Sequence, residues 1–214
     1  MTKKAYYLVL SLLFLAGLAG ALGLRILQSR MAAPPPFSPQ ETGFTLTPPS
    51  ESLTATLTSA VGSVEKQPRD KDEFEKASEG DRILQGESVA TREKSTATIQ
   101  FPDFAEIALD ANSVLGFISL IPESFLLNQP SGSVTYEVLW EKPISVRSLH
   151  ALLELQPGES QVSVVGREIT VEVFSGKAKL ALVDLENETN LFTLQEGQKA
   201  VINDAERSVV IKKL

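Results

Sequence analysis

The chain has 214 residues, 43% hydrophobic and 22% charged, which fits one or two globular domains and excludes collagen-like and wholly disordered classes. It contains no cysteine, which excludes disulfides, thiolate nucleophiles and cysteine-ligated zinc or iron–sulfur sites. His150 is its single histidine, which argues against catalytic triads and the common metalloenzyme sites. We therefore expect neither an enzyme nor a cofactor.

The net charge of −7 is unevenly distributed along the chain. Residues 1–30 hold four basic and no acidic side chains, so the rest of the chain carries a net charge of −11. Because an acidic body repels the phosphate backbone, nucleic acid is not an expected partner.

The N-terminal segment has the length and composition of a membrane span. Residues 5–24 are twenty residues without a charge, and a helix of that length covers about 30 Å, the thickness of the hydrocarbon core. Lys3 and Lys4 in front of it favour a cytoplasmic amino end. We assign residues 1–4 to a short cytoplasmic tail and residues 5–27 to an uncleaved signal-anchor helix.

A cleavable signal peptide is the alternative, because the small residues at positions 19–21 resemble a cleavage site. Both interpretations export the remainder of the chain. With an anchor, the protein is a single-pass inner-membrane protein whose bulk lies in the periplasm or outside the cell.

The segment 28–52 is predicted to be a spacer. It holds six of the twelve prolines, which lack backbone donors and favour extended conformations. We therefore expect a globular body, residues 53–214, held at some distance from the membrane surface.

From residue 53 onward, apolar and polar residues alternate with a period of two, which predicts β-strands. The predicted strands cover residues 53–57, 96–101, 106–110, 133–139, 144–148, 162–164, 168–173, 178–183, 190–194, 199–202 and 208–211. Two further apolar runs, 114–121 and 125–127, are predicted to be buried strands joined at Pro122. About a dozen short strands without an amphipathic helix predict an all-β antiparallel sandwich or roll.

Glycines mark the turns between the predicted strands, because glycine adopts positive φ at little cost. We assign this role to Gly80, Gly86, Gly176 and Gly197.

Short motifs follow one another along the body in a characteristic order. They are residues 60–64 (AVGSV), 77–91 (ASEGDRILQGESVAT), 96–101 (TATIQF), 107–109 (IAL), 112–113 (NS), 173–180 (VFSGKAKL) and 194–201 (LQEGQKAV). This order resembles that of the FecR-type extracytoplasmic domain of bacterial membrane proteins. The resemblance implies a sheet domain outside the inner membrane that binds other proteins and, in some members, relays signals to an anti-sigma system.

The sequence departs from the family pattern at two places. Asp103-Phe104-Ala105 stands where the family has Asp-Gly-Ser, and residues 148–151 stand where it has a strand containing Arg-Gly-Thr. The four residues before the predicted span are also fewer than a cytoplasmic signalling module requires. We therefore expect the chain not to contact a sigma factor directly.

Tyr136 and Trp140 are the candidate recognition residues. On a strand they share a face with Val138, and aromatic side chains are typical of glycan platforms and of hot spots in protein interfaces. The alternative is that both belong to the core. His150, between Leu149 and Ala151, is expected to be a structural histidine in an apolar setting.

The densest run of charges, residues 65–82, is predicted to be a solvated loop. Asp70, Asp72 and Asp81 match positions 1, 3 and 12 of a calcium-loop template, but Glu75 occupies the turn position that requires glycine. No metal site is therefore predicted there.

These observations favour a non-catalytic, membrane-anchored FecR-like domain that binds other envelope proteins in envelope assembly or organisation. One alternative is a signal-transduction component that modulates an anti-sigma factor or a transport receptor. A second alternative is an envelope glycan-binding module. The sequence leaves the oligomeric state open.

Overall fold

The structure is a computed structural model that describes residues 51–214. The predicted tail (1–4), the predicted anchor (5–27) and nearly all of the predicted spacer lie outside the described residues. No helix within residues 51–214 is long and apolar enough to cross a bilayer.

The described chain is all-β, as predicted, with one turn of 3₁₀ helix at Pro122–Ser124. The strands are β1 (Ala55–Val61), β2 (Val64–Gln67), β3 (Glu75–Lys76), β4 (Arg82–Ile83), β5 (Ser88–Thr91), β6 (Thr96–Phe101), β7 (Ala105–Leu109), β8 (Val114–Ser119), β9 (Leu126–Val138), β10 (Ile144–Ser148), β11 (Ala151–Leu155), β12 (Gly158–Val165), β13 (Glu168–Val173), β14 (Lys177–Val183), β15 (Thr189–Gln195), β16 (Gln198–Asn203) and β17 (Ser208–Lys213). The number of strands exceeds the predicted dozen, because strands as short as β3 and β4 leave no periodic signal.

All seventeen strands are connected by backbone pairing, in two sheets that share β9. The first sheet has the order β4-β1-β6-β7-β9-β12-β13-β16-β17. The second has the order β3-β2-β5-β8-β9-β10-β11-β14-β15. Every pair is antiparallel except β9 with β10, which run parallel.

Strand β9 passes from one sheet to the other within its 13 residues. Its first residues, from Leu126 to Asn128, pair with β8 and β10 of the second sheet. Its later residues, from Gly132 onward, pair with β7 and β12 of the first sheet. The prediction of separate strands at residues 125–127 and 133–139 was wrong, because both belong to β9. Pro130 and Gly132 are typical of a turn, but in this structure they accompany a bend within one strand.

The two sheets face each other across one apolar core. Residues alternate between buried and exposed along most strands, so each sheet turns one side inward. The ring of Phe101 on β6 lies 6.2 Å from that of Phe117 on β8 and 5.2 Å from that of Phe125, measured between ring centroids. These contacts join the first sheet to the second.

A buried polar network lies where β9 bends. The side chain of Gln129 is fully buried, and its Nε2 donates hydrogen bonds to the carbonyl oxygens of Val162 (2.8 Å) and Gly132 (3.0 Å). Its Oε1 accepts a hydrogen bond of 2.9 Å from the Tyr136 hydroxyl. Because buried polar groups are costly unless paired, this network favours a single register of β9 against β12.

A second buried network joins two of the sequence motifs to β9. The Ser113 backbone N–H donates to Thr91 Oγ1 (3.0 Å), which links residues 112–113 to the end of β5. Ser113 Oγ donates to the Ser133 carbonyl (2.9 Å) and accepts from the Ser133 N–H (3.0 Å). Thr91 and Ser113, one from each motif, therefore hold β9 from the side opposite β12.

Only glycine fits at position 132. Gly132 has φ of +88°, and a Cβ atom there would lie 2.2 Å from Ser113 Cα. Gly80 has a similar φ of +90°, but a Cβ atom there would meet nothing within 4 Å. An alanine at position 80 would therefore meet only the strain of the left-handed backbone, whereas an alanine at position 132 would also clash with Ser113.

We predict that Gly132→Ala lowers the free energy of unfolding by about 3 kcal/mol or more, the sum of left-handed strain and a steric clash. Gly80→Ala, the matched control, should cost about 1–2 kcal/mol, because it carries the strain alone. Urea unfolding measures both. Equal losses in the two variants would show that Ser113 does not crowd the bend.

Candidate interaction surfaces

The structure corrects the proposed aromatic recognition patch at Tyr136. The Tyr136 side chain is fully buried and points its hydroxyl at Gln129, so it presents nothing to a partner. Strand β9 ends at Val138, and the strand alternation that placed Trp140 on the same face ends with it.

Trp140 is half-buried and extends the aromatic part of the core. Its ring lies 4.5 Å from that of Phe104 in an edge-on arrangement, and its backbone N–H donates to the Phe104 carbonyl (3.1 Å). Phe104 in turn lies 4.7 Å from Phe125. The Lys142 ammonium, 5.4 Å from the Trp140 ring centre, covers part of the remaining ring face. This geometry fits the alternative that both aromatic residues are structural.

The four turn glycines have positive φ of +90° (Gly80), +88° (Gly86), +79° (Gly176) and +72° (Gly197). At Gly176 a Cβ atom would lie 2.2 Å from the Pro157 carbonyl oxygen. The turn between β13 and β14 therefore contacts the turn between β11 and β12, and the role of this glycine is structural.

The charged run at residues 65–82 contains the predicted exposed loop, at residues 69–73, but also parts of three strands. It includes most of β2, all of β3 and the start of β4. The Arg92 guanidinium donates to the Glu65 carboxylate, with 2.9 Å between Nε and Oε2, and lies 5.8 Å from the centre of the Phe74 ring. Hydrogen bonding to Glu65 raises the pKa of Arg92 above its ordinary value. Within residues 51–214 no group of three acidic or histidine side chains is arranged to hold a metal ion.

His150 lies in the hairpin turn between β10 and β11 rather than in an apolar setting. Its side chain is 59% exposed, and its Nδ1 lies 2.9 Å from Oδ1 of the buried Asp204. The His150 backbone N–H donates to the same oxygen (3.2 Å). This contact fastens the turn to the end of β16, a structural role.

A row of three glutamates, not predicted from the sequence, crosses the outer face of the first sheet. Glu106 on β7 lies directly opposite Glu137 on β9, which lies directly opposite Glu159 on β12. Among the ion pairs formed within residues 51–214, none includes these carboxylates. Together with Ala108 and Thr135 they line a cleft of about 190 Å³.

Like charges directly opposite one another destabilise a sheet. The glutamate row therefore lowers the stability of the fold and creates a negative surface that attracts basic groups. Only the strand register brings these residues together, since they lie far apart in the sequence.

No protein-family model and no curated protein matches the sequence. Two crystal structures from Parabacteroides distasonis ATCC 8503, each described provisionally as an anti-sigma factor, have a similar fold with a TM-score of 0.52. They are 16% and 15% identical to this chain in sequence. Each match covers 59% of this chain and spans 59% of the other chain's length. At this identity the likeness shows the fold alone.

We predict that Trp140→Ala lowers the free energy of unfolding by about 2–3 kcal/mol, because it removes a half-buried ring from the aromatic cluster. The control Leu139→Ala, at a side chain 52% exposed, should change it by about 0.5 kcal/mol or less. Chemical denaturation measures both variants. A Trp140→Ala protein of unchanged stability would contradict the structural role.

The buried Tyr136 hydroxyl should make the free energy of unfolding fall at alkaline pH. Burial raises the pKa of Tyr136 well above its ordinary value of 10.0. Above about pH 10 the unfolded chain releases this proton while the folded chain keeps it, so stability falls as pH rises.

Tyr136→Phe should remove this contribution to the slope, at a cost of about 1–3 kcal/mol at neutral pH from the unpaired Gln129 oxygen. Unfolding curves for both proteins between pH 8 and about 11 measure the difference. Parallel pH profiles would contradict the prediction.

Proposed function

We propose that this chain is a FecR-like, membrane-anchored domain that acts outside the inner membrane, binds protein, and takes part in signal transduction of the anti-sigma type. In this proposal it catalyses no reaction and needs no cofactor. The observation that carries the proposal is the fold it shares with the two structures described provisionally as anti-sigma factors.

The sequence motifs give the proposal independent support. Thr91 and Ser113, both from motifs that resemble the FecR pattern, meet in the buried network that holds β9. The resemblance therefore extends to residues that have a structural task in this fold. We favour signal transduction over envelope assembly, because both structures of similar fold carry an anti-sigma description and no described feature favours assembly.

The proposed location follows from the sequence. In this proposal residues 5–27, with the uncharged run 5–24, anchor the chain in the inner membrane, and the proline-rich residues 28–52 link this anchor to the β domain. The burial of Tyr136 removes the aromatic platform on which the glycan-binding alternative depended.

The glutamate row is the proposed contact for a protein partner. Glu106, Glu137 and Glu159 project from the outer face of the first sheet, and their mutual repulsion is relieved when a lysine or arginine is placed among them. A basic segment of an anti-sigma factor or of a transport receptor is the expected occupant.

The proposal predicts that deleting the gene changes the transcription of genes that depend on an extracytoplasmic sigma factor, measured by RNA sequencing in the native host. Re-expression of the wild-type chain should restore the pattern. The triple variant Glu106→Gln, Glu137→Gln and Glu159→Gln should not restore it, because the contact surface has lost its charge.

The matched control removes the same charge at three exposed turn residues outside β7, β9 and β12, namely Glu79, Glu186 and Glu196, each changed to Gln. It should restore transcription as the wild type does. Both triple variants should remain folded, since all six side chains lie outside the core. Unchanged sigma-dependent transcription after deletion, with a defect in the cell envelope instead, would contradict signalling and favour envelope assembly.

A further inference from the structure

Among the edge strands within residues 51–214, β15 is the one that lacks the usual protections against pairing with another strand. The edges are β4 and β17 in the first sheet and β3 and β15 in the second. Strands β3 and β4 have two residues each, and β17 ends in Lys212 and Lys213. Short length and edge lysines are common protections against strand pairing. Strand β15 has seven residues and contains neither a charge nor a proline.

The backbone of β15 directs free hydrogen-bonding groups outward at alternate residues. On the far side of β14, the Gln156 N–H donates to the Lys177 carbonyl (2.9 Å), and beyond its end the Asp184 N–H donates to the Glu188 carbonyl (2.9 Å). Bonded pairs recur at every second residue of an antiparallel ladder. Leu191, opposite Ala181, therefore turns its N–H and C=O away from β14, as do the residues two positions before and after it.

An apolar row on the outer face of the second sheet leads to this edge. Leu152 on β11 lies opposite Ala181 on β14, which lies opposite Leu191 on β15. The side chain of Leu152 is 46% exposed and that of Leu191 is 77% exposed. The row ends at the edge of the sheet, where no other strand of the described part of the chain lies beyond Leu191, the most exposed side chain of the row.

We propose that a second copy of this chain pairs with β15 in an antiparallel, two-fold symmetric manner, with Leu191 opposite the partner's Leu191. The outward N–H and C=O groups of Leu191 then bond reciprocally to the same groups of the partner strand. The apolar row continues across the symmetry axis through Ala181 and Leu152 of each copy. One sheet thereby extends from one protomer into the other.

For contact between two copies, charge favours the uncharged strand β15 over the rest of the acidic surface. Outside residues 1–30 each copy carries a net charge of −11, so two copies repel each other except where their surfaces are neutral. In the proposed register Thr189 lies opposite the partner's Thr193, and Glu188 lies opposite the partner's Leu194. Within the paired strands no two like charges oppose each other. The glutamate row lies on the other sheet, so this dimer leaves the proposed signalling surface open.

The natural absence of cysteine permits a direct test with the full-length chain in detergent micelles. Leu191→Cys should form a disulfide-linked dimer under mild oxidation, because directly opposite residues have Cα atoms about 5.5 Å apart, within disulfide reach. Thr193→Cys should not, because it lies four residues, about 13 Å, from the same residue of the partner. Val165→Cys, at a side chain 76% exposed on the first sheet, controls for random collision.

A second variant tests the pairing without cross-linking. Leu191→Lys places two ammonium groups opposite each other, so the mass of the protein in light scattering should fall from dimer to monomer. Val165→Lys should leave the dimer intact, and circular dichroism should show both variants folded. A monomeric wild type, a Leu191→Cys protein that does not cross-link, or equal cross-linking at all three positions would overturn the proposal. A cross-link from Leu191→Cys to a different protein would likewise overturn it.

Discussion

The passage of β9 from one sheet to the other is the constraint on which the rest of the structure depends. A strand that belongs to both layers must bend without leaving buried backbone groups unpaired. Here Gln129 supplies the missing partners, since its side chain bonds the carbonyls of Gly132 and Val162 and the hydroxyl of Tyr136. Because β7, β8, β10 and β12 all pair with this one strand, its position sets the register of both sheets.

The two outer faces of the domain differ in character, and this difference supports separate roles. The first sheet presents a row of glutamates that is unfavourable for the isolated fold and favourable for a basic partner. The second sheet presents an apolar row that runs to a neutral edge. Association through the second sheet and recognition through the first can therefore occur together.

Local patterns in the sequence predicted much of the fold. Residues 96–101, 144–148 and 168–173 were predicted as strands with the bounds that the structure has, because apolar and polar residues alternate along most of each segment. The continuity of β9 was missed, since Pro130 and Gly132 carry the local signature of a turn. That they bend a strand instead is decided by partners far along the chain.

The surfaces were less predictable than the strands, because they depend on which strands become neighbours. The alternation around Tyr136 is the same whether its side chain points into the core or toward a ligand. Its burial depends on the second sheet, which covers this side of β9. The glutamate row arises from the pairing of three strands, and β15 is an edge because no other strand of residues 51–214 pairs with its outer side. None of these features has a signal within a single stretch of sequence.

Hydrogen–deuterium exchange of the full-length chain tests most directly whether β9 holds the two sheets together as one unit. The amides of residues 126–138 should exchange as slowly as any in the β domain, and strands of both sheets should open with one common free energy. Faster exchange in β9 than in the β12–β13 hairpin, or separate opening free energies for the two sheets, would contradict this account.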